Sequence, residues 1–279
     1  MSHLSGAELF ERLSDEEKAR YVSANRKMVG FALDHAVPLI IAPPVSVAGE
    51  VKGATGSILR LPSGAYLLTA SHVLRGYERR VGEGERLNWQ FGKLPPFDPL
   101  PRIAWRDERR DVVLLRLTED DVQSVGRCRM VAPSAWPPAI PAEGELLLLA
   151  GYPAKNREVD AKGWVGAGPF STLFRVTAVG DDYCTCQIEH GDLVSFNGTP
   201  PPPQGTDFGG ISGGPVFLLR AGNCSLVGVI TDHGYMDFAS LELIRIATLG
   251  NIRIQERMRR PYSPLPIPLL RHHGYPGTH

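Results

Sequence analysis

The segment GISGGP at residues 210–215 places one serine among three glycines, directly before the apolar run VFLL at residues 216–219. Glycines on both sides let the backbone turn tightly and leave the small side chain of Ser212 accessible. They also let backbone N–H groups point into one space, which suits binding of a developing oxyanion. A glycine-rich hairpin loop without chemistry is the alternative interpretation of this segment taken alone.

Two other segments carry side chains with matching chemistry. His72 follows the apolar run at residues 66–68, in a position suited to a base at the edge of a cleft. Asp111 opens the apolar run VVLLRL at residues 112–117. An acid placed there can hold an imidazole in one tautomer and stabilise its cation. Taken singly, His72 fits a core or surface histidine equally well, and Asp111 fits a turn residue.

Together, TASH at 69–72, DVVLL at 111–115 and GISGGP at 210–215 resemble the motifs of the chymotrypsin-like (trypsin-like) serine proteases, in that family's order His, Asp, Ser. The resemblance covers residues 37–234. It points to the compact bacterial branch that includes the high-temperature-requirement proteases, because Val73 stands where the secreted digestive enzymes carry a cysteine. The chain departs from that branch in having too few residues after Thr231 for a PDZ domain.

The resemblance implies a serine endopeptidase that cleaves a protein or peptide substrate through an acyl-enzyme. His72 would take the proton of Ser212, Asp111 would orient His72, and the N–H groups of Gly210 and Ser212 would form the oxyanion hole. Thr231 stands where the family often has a serine whose hydroxyl helps to hold the aspartate. This chemistry requires no metal and no organic cofactor.

The same resemblance places a substrate pocket at Thr206, Asp207, Thr231, Asp232 and His233. Thr206 occupies the base position, where an aspartate would select Arg or Lys. Asp207 and Asp232 either favour a basic substrate residue or face solvent, and the sequence leaves both open.

Control of activity is expected to come from a regulatory protein partner. The digestive enzymes order the oxyanion hole with an aspartate that pairs with a newly cut N-terminus, and Ile211 stands at that position here. Activation by cleavage is therefore not expected. The polyproline stretch at residues 200–203 and the N-terminal helices are the candidate contact surfaces.

The remaining pattern predicts an all-β fold of paired barrels or a sandwich, with an N-terminal helical extension and a C-terminal helix. The resemblance implies two antiparallel six-stranded barrels. Short strand-like runs separated by Gly, Pro and Asn fill residues 37–234, and Ser14 with Glu17 forms a capping box for a helix before them. The predicted segments are a helical extension at 1–36, a first barrel at 37–131, a linker at 132–145, a second barrel at 146–237, a C-terminal helix at 238–260 and a Pro/His-rich tail at 261–279.

The composition limits which classes of partner the protein is expected to bind and which cellular compartment it is expected to occupy. The 30 Lys and Arg residues balance the 30 Asp and Glu residues, so no net charge favours binding to nucleic acid or to an anionic membrane. No apolar run approaches the roughly 18 residues of a membrane span. The first thirty residues lack the pattern of a signal peptide, and a cytoplasmic location is expected.

The four cysteines are expected to be free thiols, since four are few for a disulfide scaffold of this size. Cys184 and Cys186 alternate in a strand-like run, and a metal site completed by His190 is the less favoured alternative.

Two alternatives to an active protease follow from the sequence. The first is a catalytically silent protease-fold module that binds or scaffolds, which has no physical need for all three of His72, Asp111 and Ser212. The second is an α/β-hydrolase esterase. That fold needs the nucleophile before the acid and the histidine, on strands that alternate with helices, and this chain has the opposite order.

Overall fold

The computed structural model describes residues 6–44, 49–126, 128–133, 135–159, 165–188, 203–236 and 241–252. Two helices come first, α1 at Gly6–Glu11 and α2 at Asp15–Asp34. The predicted capping box at the start of α2 is present: the Glu17 carboxylate accepts the Ser14 N–H at 2.9 Å, and the Ser14 hydroxyl accepts the Glu17 N–H at 3.3 Å. Two backbone donors that no helical carbonyl can reach are thereby satisfied.

The first half of the chain forms an antiparallel six-stranded sheet in the order β4-β1-β2-β3-β6-β5. Its buried face surrounds Trp89 and Phe91, both fully buried. The strands are β1 (Val37–Ala42), β2 (Lys52–Leu61), β3 (Gly64–Ala70), β4 (Asn88–Phe91), β5 (Ile103–Asp107) and β6 (Val112–Leu117). Helix α3 (Ser71–Gly82) follows β3, a 3₁₀ turn (Leu100–Arg102) precedes β5, and helix α4 (Glu119–Ser124) follows β6.

The second half forms a closed barrel in the order β10-β11-β14-β13-β12-β7. Its strands are β7 (Leu146–Gly151), β10 (Phe170–Val179), β11 (Tyr183–Gln187), β12 (Pro215–Arg220), β13 (Asn223–Met236) and β14 (Leu241–Thr248). A 3₁₀ turn (Ala154–Asn156) leads into a separate two-stranded sheet of β8 (Arg157–Val159) and β9 (Val165–Ala167).

One of the two predicted barrels is therefore confirmed. In the first half, β4 and β5 end the sheet and do not pair with each other within the described residues. Phe97, in the chain between β4 and β5, forms one isolated β-bridge with Trp89 of β4. The first half is a strongly packed sheet whose two edges are not joined by a hydrogen-bonded ladder.

The predicted C-terminal helix at 238–260 is wrong for Leu241–Thr248, which is strand β14. Leu241, Ile244 and Leu249 have helical spacing, but Ile244 and Ile246 are fully buried while Arg245 between them is exposed. That period of two is the pattern of a strand. Because β14 pairs with both β11 and β13, the barrel extends beyond the predicted end at residue 237.

Helix α3 lies in a region for which the sequence predicted only strands and turns. Its buried residues Val73, Leu74 and Tyr77 recur at helical spacing and pack on the first sheet. The helix begins directly after β3, so His72 lies in its first turn.

Helix α2 packs where the two halves meet. The ring of Phe31 lies 5.1 Å from that of Phe217, and Ala32 is fully buried. One apolar cluster joins Leu68 of the first sheet, Leu148 of the barrel and these helix residues. The functional candidates lie along this same junction.

None of the helices in the described part of the chain is long and apolar enough to cross a membrane. Of the predicted linker, residues 132–133 and 135–145 form neither helix nor strand. The predicted tail at 261–279 and the polyproline residues 200–202 lie outside the described residues.

Candidate functional site

His72 and Asp111 are in direct contact. His72 Nδ1 lies 2.6 Å from Asp111 Oδ2, and the His72 N–H donates to Asp111 Oδ1 at 2.6 Å. The backbone is tied as well, because the Ser71 N–H donates to the Asp111 carbonyl at 2.9 Å. Both carboxylate oxygens of Asp111 therefore contact His72, one at the imidazole ring and the other at the main chain.

The backbone at Asp111 is in the left-handed region, with φ of 56°. This conformation is uncommon for a residue other than glycine, although Asp and Asn adopt it more readily than most. It turns the chain into β6 while the carboxylate faces back to the end of β3. Backbone strain of this kind is concentrated at functional sites.

The two partners differ in exposure. The Asp111 side chain is 11% exposed and the His72 side chain 39% exposed. Because Nδ1 of His72 faces the carboxylate, its neutral ring presents Nε2 as the acceptor nitrogen. The pair thus has the arrangement of an oriented base with one nitrogen available.

The loop at residues 209–214, which we call the Ser212 loop, packs closely against the first sheet at Gly213. This glycine has φ of 86°, and a Cβ there would lie 2.1 Å from both the Thr55 carbonyl oxygen and Thr69 Oγ1, and 3.0 Å from the Ala70 nitrogen. Only glycine permits this approach. Since Ala70 directly precedes α3, the contact brings the Ser212 loop to the start of α3, whose first turn contains His72.

Thr55 ties the loop to the first sheet. Its N–H donates to the Ser212 carbonyl at 2.9 Å, and its hydroxyl donates to the Gly210 carbonyl at 2.9 Å. The same hydroxyl accepts the Tyr152 N–H at 2.9 Å. Thr55 is fully buried, and sequence reasoning missed it, because its partners lie far away in the chain.

Two backbone donors of the loop are free. Four of its N–H groups donate within the protein, those of Gly209, Ile211, Gly213 and Gly214. The N–H groups of Gly210 and Ser212 donate to no group in the described residues. These two are the donors that the sequence assigned to an oxyanion hole, and that role stays a prediction.

The Ser212 hydroxyl makes no hydrogen bond to His72 or to any other residue described. The structure therefore brings His72 and Asp111 into contact and brings the Ser212 loop to the same junction, without joining serine to histidine. Catalytic hydrogen bonds are often long in free enzymes and tighten when substrate binds.

The hydroxyl of Thr231 does not hold Asp111. It donates to the Arg245 carbonyl at 3.3 Å, within the barrel. The resemblance assigned this position to support of the aspartate, and that assignment is wrong for this chain. Asp111 is approached instead by Arg75, whose Nη2 lies 3.4 Å from Oδ1.

The predicted pocket residues lie in different surroundings. Thr206 is buried and donates to the Pro203 carbonyl at 2.6 Å. Asp232 is exposed and lies 3.4 Å from Arg245. Asp207 accepts the Gly209 N–H at 2.6 Å and borders a cavity beside Gly210.

His233 has a partner that the sequence did not indicate. Its Nε2 lies 2.7 Å from Oε1 of Glu242, whose side chain is fully buried. The ring also meets Phe208 edge-on, with centroids 5.0 Å apart. Glu242 is in β14, the segment predicted to be helical, so its position in the barrel was not foreseen.

The four cysteines are free. Cys184 and Cys186 lie buried in β11, and burial raises the pKa of each thiol to about 12. Metal binding needs the thiolate, which such burial disfavours. His190, the third proposed ligand, lies outside the described residues, and those described contain no cluster of three metal-ligating side chains.

Comparison with solved structures found serine proteases. A thermostable serine protease, AL20, from an extremophilic microorganism is 16% identical, with a TM-score of 0.43, over 77% of this chain and 91% of that one. The Rv3671c protease from M. tuberculosis in its active form is 18% identical, with a TM-score of 0.42, over 81% of each chain. No protein-family profile and no curated protein sequence matches the chain.

Proposed function

We propose that the protein is a chymotrypsin-like serine endopeptidase, of the compact bacterial branch, in which Ser212, His72 and Asp111 cleave peptide bonds. One observation carries the proposal: a buried carboxylate orients His72 at the junction where the Ser212 loop presents two unused N–H donors. A structural loop has no need of either feature.

The chemistry follows from the oriented base. A neutral serine hydroxyl is a weak nucleophile, so His72 Nε2 takes the Ser212 proton as Oγ attacks the substrate carbonyl. The negative charge on the carbonyl oxygen is met by the N–H groups of Gly210 and Ser212. Asp111 stabilises the imidazolium that forms.

The second half of the reaction reuses the same groups. His72 delivers the proton to the leaving amine, and the C–N bond breaks to give the acyl-enzyme. His72 then takes a proton from water, which attacks the ester and restores the Ser212 hydroxyl. The cycle needs only water, and neither a metal nor an organic cofactor enters a step.

A catalytically silent binding module is the second candidate, and one observation favours it: the Ser212 hydroxyl has no bond to His72 within the described residues. Rotation of the Ser212 side chain about χ1 moves the hydroxyl without any change in the backbone. We propose that substrate binding or a regulatory protein partner completes this contact.

Covalent labelling separates the two candidates. The purified protein is treated with a serine-directed phosphonate and the adduct located by peptide mass spectrometry, while hydrolysis of chromogenic peptides is followed in parallel. We expect a single adduct at Ser212 and hydrolysis that Ser212→Ala abolishes. Ser225→Ala is the matched control, since Ser225 is exposed on β13. Labelling of neither serine, with no hydrolysis in the presence of cell extract, would favour the silent module.

A further inference from the structure

A cavity of 450 Å³ opens beside Gly210. Its walls include residues 50–53, which lead into β2, the loop before Ser212 at Asp207 and Gly209, and Arg157. It therefore lies between the two halves of the protein, next to one of the two free N–H groups.

Arg157 lies flat against the glycines of this cavity. A Cβ on Gly53 would lie 2.7 Å from Cζ of Arg157, and a Cβ on Gly210 would lie 3.3 Å from its Nη2. The glycines leave the space that the guanidinium occupies. Within the described residues, its Nε is buried and has no hydrogen-bond partner, and Nη1 donates to the Val51 carbonyl alone, at 3.4 Å.

The two acids that border the cavity, Glu50 and Asp207, each contact another lining residue rather than Arg157. Glu50 lies 2.9 Å from Lys52, and Asp207 accepts the Gly209 N–H at 2.6 Å. Arg157 forms no ion pair with any residue in the described ranges. Burial lowers its pKa, with the charge of Asp207 opposing that effect. A half-buried guanidinium whose nearest opposite charge forms no ion pair with it is a site that an anion stabilises.

The cavity borders the loop before Ser212, at Asp207, Gly209 and Gly210. The residues after Ser212 contact a different element: Ile230 of β13 bonds Gly213 and Gly214, and β13 carries the predicted pocket residues Thr231 and His233. None of the lining residues described belongs to β13. A substrate whose residues before the scissile bond follow β13 therefore directs the residues after that bond into the cavity.

We propose that this cavity binds a carboxylate on the leaving-group side of the substrate, with Arg157 as the specificity-determining residue. The carboxylate comes from an Asp or Glu side chain or from the C-terminus of a short substrate. Arg157 donates its free N–H groups to the two oxygens, the geometry for which a guanidinium is suited. This inference rests on the proposed function, since it assigns the part of the same substrate that follows the scissile bond.

The test uses internally quenched peptides that differ only after the scissile bond. One pair carries Glu or Gln at the first or second position, and another ends in a free carboxylate or an amide. For wild-type protein we expect kcat/KM about tenfold higher for the carboxylate member of one pair, the size of one charge-assisted hydrogen bond. The pair that responds identifies the source of the carboxylate. Arg157→Gln should remove the preference, and Arg20→Gln, at an exposed site on α2, should keep it.

Binding to Ser212→Ala, measured by calorimetry with the same peptides, separates failure of this inference from failure of the proposed function. Hydrolysis without a carboxylate preference, and equal binding, would overturn the inference and leave the protease intact. Arg157-dependent binding of carboxylate peptides, with no hydrolysis by wild type, would overturn the protease and retain the anion site. Equal loss of kcat on all peptides in Arg157→Gln would mean that Arg157 only supports the loop. Arg157→Lys, which keeps the charge, replaces Arg157→Gln if that variant does not fold.

Discussion

Thr55 of the first sheet and Ser212, in the loop before β12 of the barrel, are joined by a hydrogen bond from the Thr55 N–H to the Ser212 carbonyl, 2.9 Å long. The bond crosses the junction of the two halves. The conformation of the candidate nucleophile is therefore coupled to the half of the protein that carries His72 and Asp111.

Removing the hydroxyl of Thr55 should impair turnover more than substrate affinity. Thr55→Val keeps the shape but leaves the Gly210 carbonyl and the Tyr152 N–H without their partner, at a cost of about 1–3 kcal/mol in unfolding free energy. We expect kcat for peptide hydrolysis to fall at least about tenfold with little change in KM. Thr55→Ser restores the hydroxyl and should restore kcat. A Val variant with wild-type kcat would remove Thr55 from the positioning of the loop.

Ser212 and His72 should behave as one unit. Ser212→Ala should lower kcat by about 10⁶-fold, as for serine proteases in general, and His72→Ala nearly as much. The double variant should be hardly worse than either single one, because each change alone disables the same step. Steady-state kinetics on chromogenic peptides gives the three values. Multiplicative losses in the double variant would show that the two side chains act independently.

Asp111→Asn tests the orientation of the imidazole without disturbing the backbone. Asn tolerates the positive φ of residue 111, so the fold should remain, as judged by circular dichroism and thermal unfolding. The amide cannot fix the same tautomer of His72 and carries no charge to stabilise the imidazolium. We expect kcat to fall by about 10⁴-fold at neutral pH. A loss of less than tenfold would mean that His72 is oriented by other groups.

Gly213→Ala tests the close approach of the loop to the first sheet. A Cβ there would lie 2.1 Å from the Thr55 oxygen, so we expect loss of more than about 3 kcal/mol in unfolding free energy, or no folding. Gly222→Ala is the matched control: its φ is 78°, but nothing lies within 4 Å of the added Cβ. It should cost about 1–2 kcal/mol, the price of the left-handed conformation alone. Similar urea midpoints for the two variants would contradict the contact.

The thiols should be nearly inert in the folded protein. Burial raises the pKa of Cys128, Cys184 and Cys186 to about 12, so the reactive thiolate is scarce at pH 8 and becomes more abundant only as the pH rises toward 12. Cys224 is partly buried, as is Cys128, but its pKa is raised by less, so it should react first with a thiol reagent. All four should react after denaturation without a reductant. Fewer than four would indicate disulfides.

The strands were predictable where one face of the sheet is buried. Strand β1 (Val37–Ala42) begins at residue 37, where the strand-like pattern was predicted to begin, and its burial alternates along the chain. Segments whose apolar residues fit both the helical period and the strand period were not predictable from the sequence. In and just after β14, the spacing of Leu241, Ile244 and Leu249 fits a helix, whereas that of Ile244 and Ile246 fits a strand. Only pairing with β11 and β13 decides between them. The first barrel was inferred from strand number, which does not determine whether β4 and β5 meet.

The candidate site was predictable where residue type and spacing carry the chemistry. His72 and Asp111 were assigned as partners from their motifs, and they are in contact. Thr55 and Arg157 carry no such signal, because a threonine in a strand and an arginine in a hairpin are ordinary residues. Their importance arises from contacts between distant segments that form only when the two halves pack together.

Helix α2 buries Ala32 and the ring of Phe31 against Phe217 at the junction of the two halves. A protease that cut the chain between α2 and β1 would release this apolar wedge and uncover the surface beneath it. Removal of the N-terminal segment would thus have the opposite effect to removal of a pro-segment, which switches an enzyme on. Under the proposed function, we expect its loss to inactivate the protein irreversibly, so that the lifetime of the active protein is governed by how well the end of α2 resists proteolysis.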